Sequence, residues 1–175
     1  MSAAIIGSGP AGLMAAEVLS EGGVQVDLYD AMPCAGRKFL LAGKGGLNLT
    51  HAEQHEQFLS RYGKRSIQLK PLLESFGPET LRAWAQGLGI STFTGSSGRV
   101  SPDGMKAAPL LRAWLHRLRK NGVVFHMRHR WRGWDDKNNL LFITPQGKRL
   151  VHADAVLLAL GGGSWPQLSS DGSWV

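Results

Sequence analysis

Residues 3–12 read AAIIGSGPAG, and residues 24–30 read VQVDLYD. The first stretch is an apolar run that enters a glycine turn, and an Ala- and Leu-rich segment then continues to Ser20. The second stretch has the pattern of a strand that ends in an acid. Because strand, glycine turn, helix, strand and acid form the dinucleotide-binding fingerprint, we predict a strand at about 3–6, a helix at about 10–21 and a strand at about 24–30.

The glycines of this turn have distinct physical roles in the fingerprint. Gly7 allows the tight turn, Gly9 lets the backbone approach a pyrophosphate, and Gly12 lets the helix lie close to the strand. The helix N-terminus offers N–H groups and a partial positive charge to the phosphates, although Pro10 has no N–H. The predicted cofactor-binding residues of the turn are Gly7, Ser8, Gly9, Pro10, Ala11 and Gly12.

An acid at the end of the second strand is expected to accept hydrogen bonds from a ribose. Asp30 follows Gly12 by about 18 residues, close to the ~20 of the fingerprint. Asp27 is the alternative, because it also ends an alternating apolar pattern. We favour Asp30, because it falls at the end of the strand.

The bulk composition narrows the class of protein. The 175 residues suit one domain, and 43% of them are hydrophobic, which is ordinary for a globular chain. Neither a signal peptide nor a run of ~20 apolar residues is visible, so we expect a cytoplasmic protein without a membrane partner. The single cysteine, Cys34, excludes an intrachain disulfide, and we predict a structural role for it and no metal site.

The chain is strongly basic, with a formal charge of +7 and a pI of about 10.0. Many of its basic residues lie between Arg112 and Arg132, and Arg112, His116 and Lys120 would share one helix face. The favoured interpretation is a solvated face. Attraction for an anionic cofactor or substrate comes second, and binding of nucleic acid comes last because no recognition motif accompanies the charge.

The middle of the chain predicts a long loop followed by helices. The segment 31–50 is rich in glycine, and loops of this length are usually functional. A turn-rich segment at 92–101 is predicted to hold two short strands. The predicted helices span residues 55–62, 69–76 with Pro71 in its first turn, 79–88 and 106–120.

The last part of the chain predicts strands at 123–127, 130–135, 140–144 and 150–152, of which the last three form a small meander. Residues 155–160 are a continuous apolar run, the pattern of a buried parallel strand. Two features favour FAD over NAD: the meander, and an insertion where NAD domains repeat βαβ units. The predicted fold class is α/β, a glutathione-reductase-type FAD-binding Rossmann-like domain with a parallel sheet and a small antiparallel β-meander.

Three further segments carry a resemblance to a known family. They read GRKFLLAGKGGLNLTH at 36–51, SGRVSP at 97–102 with MKAA at 105–108, and ALGGGSWP at 159–166 with SDG at 170–172. Together with the glycine turn and in this order, they resemble the BaiN/RdsA-type flavoproteins, also called aminoacetone-oxidase-like NAD(P)/FAD-dependent oxidoreductases. The chain departs from the family pattern at three positions. Leu47 stands where many members have Arg, Ser101 stands where the family has Phe, and Leu160 stands where it has Thr.

The resemblance implies FAD as the cofactor, NAD(P)H as a candidate electron donor and a small organic molecule as the substrate. Members of the family are about twice this length or more, so residues 1–175 correspond to the N-terminal part of an incomplete FAD-binding domain. The inserted and C-terminal segments of the family are absent from it. We therefore expect an uncovered apolar face and self-association through it.

The resemblance also implies roles for particular residues. Asp30 and Ala31 would hold the adenosine ribose, and Arg37 and Lys38 would neutralise phosphate or reach the ribose unless they form an exposed basic pair. Trp131 would meet the adenine through its backbone, or serve only the core of the meander. The other implied cofactor-binding residues, which a plain turn or a flexible loop would also explain, are Gly36, Gly43, Gly45, Gly46, Asn48, Gly161 and Gly162.

The catalytic residues are unknown from the sequence. Arg99 and Lys106 are candidates to face the flavin N1 and C2=O, although Lys106 could equally start a helix. Three functions stay open: an FAD-dependent oxidoreductase, an FAD-domain remnant without turnover, and a basic protein that binds nucleic acid.

Overall fold

The computed structural model describes residues 1–163 and residue 172. Two compact units are formed, the first by Met1–Phe39 with the chain from Leu115 onward, and the second by Leu40–Trp114. In chain order the elements are β1 (Ser2–Ile6), α1 (Pro10–Glu21), β2 (Gln25–Asp30), α2 (Arg37–Ala42), β3 (Thr50–His51), α3 (His55–Ser60), α4 (Ser66–Ser75), α5 (Pro78–Gly87), β4 (Thr92–Thr94), β5 (Arg99–Pro102), α6 (Ala107–Lys120), β6 (Val124–Met127), β7 (Arg130–Trp134), β8 (Leu140–Thr144), β9 (Gly147–Val151) and β10 (Ala155–Leu158).

The first unit is built on a parallel sheet with the strand order β10-β1-β2-β6. The predicted strand, helix and strand of the fingerprint are confirmed as β1, α1 and β2. Pro10 opens α1 at its first position, where a missing N–H costs nothing. Ile5 and Leu28 face each other in the register of β1 and β2 and are fully buried. This sheet confirms the predicted α/β class.

β10 corrects one prediction. It pairs parallel to β1, as expected, but its four residues are exposed rather than buried. Among the described residues it is the outermost strand of the sheet, and Val156, Leu157 and Leu158 are 37–46% exposed. The apolar run therefore marks a parallel strand that is outermost among the described residues, with exposed apolar side chains. Self-association through an uncovered apolar face stays a prediction.

The predicted meander is confirmed as the antiparallel sheet β7-β8-β9. Its first turn is held by Asp135, whose carboxylate accepts the N–H groups of Lys137 and Asn139 and the Asn139 side-chain amide. These hydrogen bonds lower the pKa of Asp135, and the one from the Asn139 side chain has the largest effect. β9 begins at Gly147 rather than at residue 150. The second turn of the meander is short, because the Gln146 N–H donates to the Thr144 hydroxyl.

The core of the first unit joins the meander to the parallel sheet. The buried side chains of Tyr29, Leu140 and Phe142 form one cluster with Ala4 and Ile6. The rings of Tyr29 and Phe142 stack with centroids 4.4 Å apart. Burial of these two aromatic rings removes a large apolar area from water and so stabilises the contact between the meander and the parallel sheet.

The buried Tyr29 phenol predicts a stability change at high pH. Burial above all, and the nearby Asp27 carboxylate, raise the pKa of Tyr29 from 10.0 to about 12. A group with a raised folded pKa stabilises the fold below its unfolded value, and this contribution is lost as pH rises through the folded value. We expect the free energy of unfolding to fall between these two pH values, measured by urea unfolding, and Tyr29→Phe to flatten that fall.

Tyr62, which is 40% exposed, offers the matched control for that prediction. Tyr62→Phe should leave the alkaline fall unchanged. Equal falls in the wild type and in Tyr29→Phe would show that burial of the phenol does not couple its titration to folding.

The second unit contains α3, α4 and α5 with the antiparallel sheet β3-β5-β4. The two strands predicted within 92–101 are confirmed as β4 and β5. Two predictions were wrong. The segment 31–50 is not all loop, because it contains α2. α4 begins at Ser66, straight after a 3-10 turn at Gly63–Arg65, so Pro71 lies inside the helix rather than in its first turn.

α6 confirms the predicted helix near 106–120. The apolar side predicted for this helix consists of five residues, of which Leu115 is half-buried and the other four are buried: Leu110, Leu111, Trp114 and Leu118. Gly122 follows with φ +85°, a left-handed conformation that suits the end of a helix. None of the helices in the described residues is both long and apolar enough to cross a membrane.

Candidate functional site

The glycine turn after β1 is closed by backbone contacts. The Gly7 N–H donates to the Tyr29 carbonyl at 2.8 Å, and Gly7 has φ +109°. A Cβ at Gly7 would contact the Ala159 carbonyl, and a Cβ at Gly12 would contact the Gly7 carbonyl oxygen. Both positions therefore need glycine for the fold itself.

Gly9 differs from these two glycines. It precedes α1 with φ −75° and ψ 179°, which any residue can adopt. No heavy atom of the described residues lies within 4 Å of the place that its Cβ would take. The fold does not need glycine here, and the open space lies at the N-terminus of a twelve-residue helix. This combination fits a bound anion, since the helix N-terminus presents N–H donors to it.

Asp30 ends β2 and lies against the glycine turn. One carboxylate oxygen accepts the Ser8 N–H at 2.8 Å and the Ser8 hydroxyl at 2.5 Å, and the other accepts the Met32 N–H at 2.8 Å. Asp27 lies further back on the strand and pairs instead with His126 Nε2 at 2.6 Å. Of the two acids that the sequence offered, the structure brings Asp30 to the turn.

A pocket in the first unit joins the turn to the start of α2. The Gly36 N–H donates to the Ser8 carbonyl at 2.9 Å, and Gly36 has φ +69°, a conformation that favours glycine. This contact places Arg37 and Lys38 beside the turn. The residues that line the pocket are Ser8, Gly9, Asp30, Met32, Cys34, Gly36, Arg37 and Lys38.

The pocket contains two residues that sequence reasoning did not assign to it. The Met32 N–H donates to the Asp30 carboxylate. A hydrogen bond to an aspartate side chain from the backbone N–H two residues later is a recognisable local pattern. Cys34, predicted to be structural, is exposed and lines the pocket. No sequence signal distinguishes such a cysteine from one in the core.

The remaining predicted residues of the first unit have mixed surroundings. Trp131 packs partly buried against the core cluster, and its ring lies 4.7 Å from that of Trp134. Its buried Nε1 has no hydrogen-bond partner among the described residues. Ala31 is partly buried, while Gly161 and Gly162 are exposed. The motif residues 164–166, 170 and 171 lie outside the described part of the chain.

The predicted residues of the second unit divide between packing and a second pocket. A Cβ at Gly43 would contact the Ala107 side chain, so packing alone explains this glycine. Gly45, Gly46 and Asn48 do come together in the pocket, which Arg99 also lines. Lys106 is exposed next to the start of α6 and is not among the residues of this pocket.

Some of the basic residues between Arg112 and Arg132 contact other side chains of the protein. Arg117 donates to the buried Glu17 carboxylate at 2.8 Å, and the Arg119 guanidinium lies 5.0 Å from the centroid of Phe125. Arg112, His116 and Lys120 are exposed. Within the described residues, no group of three or more His, Cys, Asp or Glu side chains is placed to hold a metal ion.

Comparison with protein families gives one match over the whole chain. Residues 1–175 match the family described as HI0933-like protein Rossmann domain. Among curated proteins, no sequence match was found.

Solved structures share the fold at low sequence identity. A flavocytochrome c3 fumarate reductase in its open conformation is 18% identical, with a TM-score of 0.70 over 92% of this chain and 33% of its own. A 3-ketosteroid-Δ4-(5α)-dehydrogenase from Rhodococcus jostii RHA1 is 14% identical, with a TM-score of 0.63 over 93% of this chain and 46% of its own. Mycobacterium smegmatis Sdh1 is 18% identical, with a TM-score of 0.62 over 93% of this chain and 34% of its own. The chain thus spans between a third and a half of these proteins.

Proposed function

Because the chain belongs to the family of HI0933-like proteins and matches their Rossmann domain, we propose that it binds FAD and forms the nucleotide-binding part of an FAD-dependent oxidoreductase. The substrate would be a small organic molecule, with NAD(P)H as a candidate electron donor. One observation carries the proposal: a single pocket joins the glycine turn, an acid at the end of β2 and the basic pair Arg37 and Lys38.

The residues of this pocket suit the pyrophosphate and the adjoining ribose of the cofactor. The open side of Gly9 leaves room for the pyrophosphate beside the α1 N-terminus, where negative charge is favoured. The Arg37 guanidinium can neutralise phosphate oxygens by paired hydrogen bonds. Asp30 offers about one free acceptor site to a ribose hydroxyl, because an ionised carboxylate has about four acceptor sites and three are engaged here.

Other residues are proposed as cofactor contacts on weaker grounds. The unpartnered Nε1 of Trp131 is a buried donor that a ligand group could satisfy, in addition to the proposed backbone contact with adenine. The exposed glycines at 161 and 162 would allow a close backbone approach. Ala31, Gly36, Gly43, Gly45, Gly46 and Asn48 remain proposals from the resemblance alone.

The protein's own contribution would be binding and positioning. FAD, when bound, supplies hydride and electron transfer, while the surrounding residues orient it and exclude competing reactions. The named solved structures include a fumarate reductase and a ketosteroid dehydrogenase, and their fold supports a redox role for this domain. Purification from cells tests the proposal directly: a yellow protein with flavin absorbance supports it, while a colourless chain that FAD cannot saturate would overturn it.

Gly9→Ala separates binding of the cofactor from folding. The methyl group has no protein atom to meet, so the variant should lose less than about 1 kcal/mol of stability, the usual range at a helix N-cap. The same methyl would lie where the pyrophosphate must approach. We expect FAD affinity to fall tenfold or more, about 1.4 kcal/mol, in a titration that follows flavin fluorescence.

Gly22→Ala is the matched control for that variant. Gly22 follows the other end of α1 with φ −77°, its Cβ would lie 3.4 Å from the Leu19 and Val18 carbonyl oxygens, and it does not line the pocket of Gly9. Gly22→Ala should bind FAD more tightly than Gly9→Ala does. Unchanged affinity in Gly9→Ala would remove the glycine turn as the pyrophosphate site.

A further inference from the structure

A cavity of about 210 Å³ lies in the second unit, at the hairpin formed by β4 and β5. We infer that this cavity binds the carboxylate of a small acidic molecule with an apolar body, and that this molecule is the substrate. The inference rests on the proposed function for the word substrate, and Gly46 and Asn48, which the resemblance also assigns to FAD, would then border both molecules. The residues that carry it are Gly46, Asn48, Phe93, Arg99, Ser101 and Met105.

Arg99 gives the cavity a positive charge without a counter-charge. Its side chain is exposed, and no residue in the described part of the chain forms an ion pair or hydrogen bond with its guanidinium. The backbone at Arg99 is fixed on both sides, since its carbonyl accepts the Gly95 N–H at 2.8 Å and it pairs with His51 across β3 and β5. A planar guanidinium with free donors, carried by a backbone that is held in the sheet, matches a carboxylate in a two-point contact.

The polar residues beside Arg99 are neutral donors. Ser101 is buried and donates its hydroxyl to Asn48 Oδ1 at 3.2 Å, which leaves the Asn48 side-chain NH2 without a partner among the described residues. Arg99 is the one cation among the residues that line the cavity. One positive charge balances a carboxylate and would leave a phosphate dianion partly uncompensated, so the site favours the carboxylate.

Two apolar side chains also line the cavity. Phe93 is 41% exposed and Met105 is 43% exposed. Met105 has φ +55°, a left-handed conformation that is costly for a non-glycine residue, and the Leu47 N–H donates to its carbonyl at 2.8 Å. The cavity is below the usual ~300–1,000 Å³ of sites for drug-sized ligands, so the acid that it accepts is small.

The hairpin that carries part of this wall is held in place by His51. Its Nε2 donates to the Ser97 carbonyl at 2.9 Å, and a Cβ at Gly98 would lie 2.5 Å from the His51 ring. The Ala52 N–H also donates to the Gly98 carbonyl at 2.8 Å. The wall is therefore set before a ligand arrives, which reduces the ordering cost of binding.

The larger cavity of the same unit does not share this imbalance of charge. It measures about 440 Å³ and is lined by three carboxylates. Each carboxylate has a basic partner: Arg61 for Glu53, Lys70 for Glu74 and Arg82 for Glu79. Of these two cavities, only the smaller one therefore has an unpaired charge among its described lining residues, that of Arg99.

The test compares an acid with its neutral isostere. We would titrate the 175-residue chain with 4-fluorobenzoate and with 4-fluorobenzamide and follow the fluorine NMR signal of each. The acid should bind at least tenfold more tightly than the amide. Arg99→Gln should abolish that preference by weakening the acid at least tenfold, while Phe93→Ala should weaken both probes and keep the preference.

The exposed Arg65, outside the cavity, provides the matched control. Arg65→Gln should change neither probe. Equal affinity for acid and amide, no binding of the acid, or an unchanged acid affinity in Arg99→Gln would each overturn the inference. FAD is titrated separately into the same samples: preference for the acid in a chain that does not bind FAD would support the carboxylate site and overturn the proposed function.

Discussion

Gly12→Ala is expected to destabilise the first unit by about 3 kcal/mol or more, at the upper end of what overpacking usually costs. The added methyl would lie on the Gly7 carbonyl oxygen, a backbone atom that cannot rotate away. Gly7 is itself fixed by its hydrogen bond to Tyr29 and by its left-handed conformation. The strain can be relieved only by moving α1 away from β1, and urea unfolding with far-UV circular dichroism measures that cost.

Gly9→Ala is the control for this prediction, since it adds the same methyl to the same turn in open space. The two variants should therefore separate: Gly12→Ala loses stability, while Gly9→Ala keeps it and loses FAD. A Gly12→Ala chain with wild-type stability would show that α1 does not lie as close to the turn as the structure places it.

The first thirty residues were predictable because their signals are local. The turn, the helix start at Pro10 and the acid at the end of β2 all lie within one βαβ unit, so spacing alone fixes their relation. α2 escaped prediction for the opposite reason. It has only six residues in a glycine-rich segment, too few to show a helical period.

The clearest errors in the predictions from sequence concern which residues are buried. The apolar run of β10 is correct for a parallel strand, but whether such a strand is covered depends on which elements lie beside it. That information is absent from the run itself. The same holds for Cys34, whose exposure at the pocket follows from the path of the chain between β2 and α2.

The sequence predicted most of the residues that form the candidate site, but not the hydrogen bonds between them. Sequence spacing selected Asp30, yet nothing in it indicates that Ser8 and Met32 already engage the carboxylate. Likewise, the resemblance singled out Arg99, but it does not indicate that the Arg99 guanidinium lacks a partner among the described residues, because pairing depends on three-dimensional placement. Directional contacts of this kind are set by side-chain geometry.

Asp30→Ala is expected to weaken FAD binding more than tenfold and to destabilise the turn as well. Hydrogen bonds to a charged group are worth about 1.5–3 kcal/mol each, and the variant removes the one proposed to the ribose together with the three to Ser8 and Met32. FAD titration measures the first loss and urea unfolding the second. Asp27→Ala, which breaks the pair with His126, should leave FAD affinity nearly unchanged.

Ser8→Ala distinguishes a ribose contact from a structural clamp at Asp30. It removes the Ser8 hydroxyl but keeps the Ser8 N–H and the whole carboxylate, so the acceptor sites for a ribose remain. We expect Ser8→Ala to lose stability while FAD affinity stays near the wild-type value. If Ser8→Ala and Asp30→Ala weaken FAD equally, the carboxylate acts by holding the turn and not by binding the ribose. A larger effect of Asp27→Ala than of Asp30→Ala would place the ribose further back along β2.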